Sequence, residues 1–173
     1  LLFFLVATVT ACSTLPAKSS KNLGIGSFDA LAVGDTLAKV EESLGSPTET
    51  RKNLRDGTEE LWVYDDSSGG QRGSVSIDSK RRAVIGVTVV PQEGDQESHL
   101  DFLLKRKFST SSFEKVPLQR CDRDYLPIED FYIDARSGVL IEANRQTGEV
   151  GSFSRTSPKY AVDLISRIKE CKR

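Results

Sequence analysis

Three cysteines, a lone histidine and two groups of neighbouring acids are the residue types in this chain that could do chemistry. One His, three Cys and no Met supply zinc binding, haem ligation and His-based catalysis poorly. His99 has no placed partners for a triad and reads as a surface residue at a helix start. Asp65-Asp66, and Asp122 with Asp124, lack EF-hand spacing and any glycine-anchored ligand loop, so turn solvation accounts for them better than a metal or a catalytic carboxylate pair. Gly24-Ile25-Gly26 is no dinucleotide fingerprint, because no strand precedes it, and there is no P-loop. The sequence assigns no catalytic, metal or cofactor residue, and the expectation is a protein that binds and does not catalyse.

Binding is better supplied. Lys80-Arg81-Arg82 puts three cations on an expected hairpin tip, and Lys105-Arg106-Lys107 puts three at a helix end. Each is either a solvated surface, with a favourable dipole placement for the helix, or the seat of an anionic partner such as a lipid headgroup surface or an acidic protein face. Trp62 and Tyr64 share one face of an expected strand. They belong to the core if helices cover that face, and to an aromatic partner patch if it is open. Nucleic acid is not an expected partner, since 24 basic against 25 acidic residues leaves a net charge of −1. The 173 residues suit one domain or two small ones sharing a core.

The apolar run LLFFLVATVTA, Leu1 to Ala11, is too short to span a bilayer as a helix, which takes about 20 residues. It fits the apolar part of an export signal. A start Met and early cations are missing, so the sequence reads as truncated at its N-terminus. Val9-Thr10-Ala11-Cys12 resembles the lipobox of bacterial lipoproteins, whose Cys receives a diacylglyceryl group before cleavage and further acylation. That resemblance implies a lipid on Cys12, and more than one chain gives stable anchoring at about 0.8 kcal/mol per buried CH₂. An ordinary cleaved signal is the alternative. Ser13 after the Cys implies outer-membrane sorting by family habit. Residues 12–27, rich in Ser, Lys and Gly, read as a flexible tether of about 20 Å root-mean-square span. Cys121 and Cys171 then remain as an even pair in an oxidising compartment. Bridged, they close a loop worth roughly 4 kcal/mol at most; otherwise they are two small apolar thiols.

The body reads as helix followed by strands, twice, with boundaries at 28–94 and 95–173. Asp35 or Thr36 caps a helix whose stripe is Leu37, Val40 and Leu44, and Gly45 and Pro47 stop it. Strands follow at Thr48–Leu54, Glu60–Asp65, Gly73–Asp78 and Val84–Val90. The second half repeats the order. A stripe of Leu100, Leu103, Leu104 and Phe108 precedes strands near Phe113–Leu118, Phe131–Ile133, Val139–Ala143 and Val150–Phe153. Ser157-Pro158 opens a last helix with Ala161, Leu164, Ile165 and Ile168 inward, continuing to Cys171. The strings EELWVYDD and IEDFYIDA, near residues 59 and 128, suggest duplication. The expected fold class is α+β, short helices on antiparallel sheet, with two tandem units as one arrangement this order allows.

Gly34, Thr36, Val40, Leu44, Gly45 and Pro47, followed by Trp62 and Tyr64, resemble the signature of the SmpA/OmlA (BamE-like) family of outer-membrane lipoproteins over about residues 31–90. The resemblance implies two short helices on a three-stranded antiparallel sheet, within a superfamily that includes the tandem-domain β-lactamase inhibitor proteins. It also implies an outer-membrane site facing the periplasm and a protein partner in the envelope, such as the β-barrel assembly machinery. The second half lacks G-x-T, L-G-x-P and W-x-Y, and the turn Asp78-Ser79-Lys80-Arg81-Arg82 lacks the family's usual Gly. The functional expectation is a structural or accessory role in outer-membrane protein assembly or envelope integrity. The alternative is an inhibitor whose loops, such as Asp65 to Arg72, plug a hydrolase.

Overall fold

The computed structural model describes residues 23–52, 58–65, 71–117 and 129–170, with the side chains of residues 71 and 167–170 left aside. In the first half, α1 (Ile25–Asp29) and α2 (Leu37–Leu44) precede a meander of β1 (Glu49–Lys52), β2 (Glu59–Asp65), β3 (Gln71–Asp78) and β4 (Ala83–Val89). Thr36 caps α2, accepting from the Lys39 N–H, and the stripe Leu37, Val40, Leu44 is buried. In the second half, α3 (Leu100–Phe102) widens into a π-helical turn over Leu103–Lys107, closed by the bond from Phe108 N–H to the Leu103 carbonyl. The strands β5 (Glu114–Pro117), β6 (Glu129–Asp134), β7 (Val139–Asn144) and β8 (Val150–Thr156) follow, and α4 (Pro158–Glu170) ends the described chain. Ser157 Oγ accepts from the Tyr160 N–H, so Ser-Pro opens α4 as the sequence predicts.

The fold is α+β, with short helices on one antiparallel sheet of eight strands in the order β1-β2-β3-β4-β8-β7-β6-β5. Two four-stranded meanders are therefore joined through their last strands. Each has one strand more than the resemblance implies, and the addition in the first is the edge strand β1, whose side chains are all exposed.

The two meanders are related by a local twofold axis through the pair Thr88 and Ser154, whose hydroxyls meet at 2.9 Å. The axis carries Val87 onto Phe153; outward along the registers it carries Val75 onto Ile141 and Trp62 onto Tyr132. The irregularities match as well. Past the Ser76↔Gly86 pair β4 carries one extra residue, Ile85, and past the Glu142↔Ser152 pair β8 carries one, Gly151, at equivalent positions. Asp78 accepts from the N–H groups of Lys80 and Arg81, as Asn144 accepts from those of Gln146 and Thr147. Thr36 bridges Ala83 and starts α2, as His99 bridges Glu149 and starts α3. The register sets Trp62 against Tyr132, one residue along from an end-to-end pairing of EELWVYDD with IEDFYIDA.

One face of the sheet carries the main core. Phe28, Leu31, Val40, Trp62 and Tyr64 from the first half meet Leu103, Ile141 and Phe153 from the second, so the core runs through the expected boundary at 94/95. On the other face, Ala161 of α4 packs with Val116, Ile133 and Leu140, and no counterpart of α4 is present over the first meander among the described residues.

The tether expectation needs a correction at its C-terminal end. Leu23, Ile25 and Phe28 are buried in the main core, so residues 23–27 are part of the body. Phe28 lies on Gly73, where a Cβ would come within 2.7 Å of the ring, and stacks edge-on with Tyr64 at 6.0 Å. Asp29 is held by Lys107 and by Arg155 Nη2 at 2.6 Å, while Lys107 also reaches Glu97 and lies over the Phe153 ring. Three apolar residues interrupted by two glycines are too short a pattern to show helical periodicity in the sequence.

Candidate functional site

The hairpin between β3 and β4 presents Lys80, Arg81 and Arg82, all exposed. The N–H of Arg81 holds the Asp78 carboxyl below the usual carboxylate range, aided by the N–H of Lys80 and the two nearby cations, against slight desolvation. The turn closes with Arg82 at φ 55°, a left-handed conformation supplied in the twin turn by Gly148 at φ 71°. That residue fills the role of the glycine missing from the sequence. The twin tip is not a second cationic cluster, because Arg145 turns down onto Asp130 at 2.7 Å. Lys115 reaches the same carboxylate at 2.9 Å. Burial pushes the Asp130 carboxyl up, but the hydrogen bonds from Arg145 and Lys115 outweigh it and hold the group low.

The tip has a defined place relative to the incoming chain. Arg72, at the start of β3, is buried; its Nε donates to the Leu23 carbonyl at 3.1 Å and its Nη1 to Asp95 at 2.7 Å. The first described residue, Leu23, thus lies at one end of β3 and the cations sit at the other, about 20 Å away at 3.3 Å per residue.

Trp62 and Tyr64 belong to the core and form no open aromatic patch. Both are buried under α1 and α2, and burial pushes the Tyr64 phenol far up. Their role as partner-binding candidates is withdrawn, since helices cover their side of the sheet. Of the second cationic run, Lys105 pairs with Asp101 at 2.7 Å, Lys107 is committed to Asp29 and Glu97, and Arg106 is exposed. His99 is exposed at the start of α3. Cys12, Cys121, Cys171, Asp66, Asp122 and Asp124 lie outside the described residues, as does most of the Asp65 to Arg72 loop.

A concavity at the centre of the sheet is a feature that sequence reasoning missed. A groove of about 580 Å³ crosses the junction of the two meanders on the face that carries α4. Its floor is Ser76, Thr88, Ser152 and Ser154, with Thr156 donating to the Ile85 carbonyl. Phe131, Leu140 and Leu164 form an apolar wall, and the Tyr160 ring, half exposed, stands at the rim. Glu59, Asp78 and Glu142 line it, as does Arg155, whose guanidinium is held by Asp29; Glu142 accepts from the Ser152 hydroxyl at 3.2 Å, and no cation pairs with Glu59 or Glu142 among the described residues. The signal was present in the alternation of β4 and β8, where Ser and Thr interleave with Val and Phe. Only the antiparallel register β4–β8 sets Thr88 beside the hydroxyl row of Ser152, Ser154 and Thr156.

No family model matches this chain, and no curated protein matches it. Among solved structures it is similar to an extracellular protein containing a SCP domain from Bacillus anthracis str. Ames, at 12% identity and a TM-score of 0.46. That similarity covers 92% of this chain and 53% of the other, so the chain spans about half the length of its structural neighbour.

Proposed function

We propose that this chain is a lipid-anchored outer-membrane protein, facing the periplasm, that acts by binding an envelope protein and not by catalysis. Its role is structural or accessory, in outer-membrane protein assembly or envelope integrity. The barrel-assembly machinery is the partner that the sequence resemblance favours. The observation that carries this reading is the placement of Lys80-Arg81-Arg82 at the end of β3 remote from Leu23, the described residue closest in sequence to Cys12. A chain held through Cys12 presents those cations away from its attachment point, toward an acidic protein face in preference to the headgroups of its own membrane. No described helix is long and apolar enough to cross a membrane; the proposed anchor is the lipid that the lipobox resemblance implies on Cys12.

The duplicated meander favours one second reading, an inhibitor built from tandem units that docks on a periplasmic or extracellular hydrolase. The test is crosslinking in intact cells, followed by purification from outer membranes. Barrel-assembly subunits should co-purify with the natural chain and be lost when Lys80, Arg81 and Arg82 are all changed to Glu. A hydrolase in their place supports the inhibitor. Palmitate label should enter the natural chain and not the Cys12→Ala variant; unlabelled, freely diffusing protein would overturn the anchor.

A further inference from the structure

From the groove across the meander junction we infer a second binding site, for a short neutral oligosaccharide, which meets the cationic tip at Asp78 but is not lined by Lys80, Arg81 or Arg82. The argument is chemical complementarity. A wholly apolar ligand would strip water from the half-buried Glu142 without replacing its hydrogen bonds, which is costly. A simple cation would satisfy that carboxylate and leave the Phe131, Leu140 and Leu164 wall unmatched. A sugar ring carries both patterns, with hydroxyl edges that donate to carboxylates and apolar C–H faces that lie against rings and aliphatic side chains. The floor hydroxyls suit it as well. The Thr88–Ser154 and Ser152–Glu142 contacts orient those groups along the floor, and each hydroxyl oxygen keeps further acceptor capacity. The volume falls within the range of about 300–1,000 Å³ usual for small-molecule sites.

The asymmetry between the two halves points the same way. Across the twofold axis, Glu142 replaces Ser76 and Ser152 replaces Gly86, so the related halves of the floor differ where a ligand would touch them. Among the described residues only the second half has a helix beside the floor, and that helix supplies Tyr160.

The test is amide NMR of the full chain, titrated with tri-N-acetylchitotriose, with maltotriose, and with the tripeptide Ser-Leu-Lys. Saturable shifts at Thr88, Ser152 and Ser154 are expected with at least one trisaccharide. Tyr160→Ala and Glu142→Ala should each weaken that binding about tenfold, whereas Arg82→Gly should leave it unchanged. Silence with both sugars, binding indifferent to the two groove variants, or response to the tripeptide alone would each overturn the site. Because Arg82 lies outside the groove, a failed sugar titration leaves the partner-binding reading standing, and the reverse also holds.

Discussion

Arg82 holds a left-handed backbone that its twin position fills with Gly148, and a non-glycine residue there costs about 1–2 kcal/mol. Arg82→Gly should therefore raise stability by about 1 kcal/mol, seen as a higher urea midpoint at unchanged slope; a lower midpoint would show that the arginine side chain stabilises the turn. At this scale much was legible. The caps at Thr36 and Ser157, the terminator Gly45 and the exposed cations all follow from local rules acting within a few residues. The roles of Trp62 and Tyr64 were not, because alternation pairs them on one face without saying which face is covered.

At the scale of elements, α1 joins the N-terminal segment to both halves. Phe28 is fully buried on Gly73 and Tyr64, and Asp29 holds Lys107 and Arg155 from the second half. Phe28→Ala should cost about 3–5 kcal/mol, measured by thermal or urea unfolding, the range for emptying a buried aromatic site. A loss well under that would mean α1 sits loosely on the sheet. The strands were legible because alternating and β-branched runs between turn residues are a strong signal. Five residues of α1 were not, since a helix shorter than two turns owes its existence to what it packs against.

For the whole molecule, acid is the informative perturbation. Asp95, Asp130 and Asp134 are all held below their usual range: Asp95 chiefly by its Arg72 bond, the other two by hydrogen bonds that outweigh their desolvation. Groups depressed in the folded state contribute stability that is fully present above the unfolded value of about 3.9 and is lost as pH falls through and below it. The urea midpoint should hold nearly level from about pH 7 to 5 and decline below about 4. Asp130→Asn should flatten part of that decline; a midpoint that rises on acidification would contradict the assignment.

Composition, periodicity and turn chemistry determined the order of the elements from α2 onward, the α+β class and the repeated helix-then-strands plan, because each rests on interactions between neighbours in the chain. Tertiary structure decided that the two plans share one sheet and one core, that residues 23–27 belong to the body, and that Thr88 of β4 meets the hydroxyl row of β8 to floor a groove. Those outcomes depend on pairing between segments far apart in sequence, where register and the choice of face are set by the burial of all the apolar surface at once.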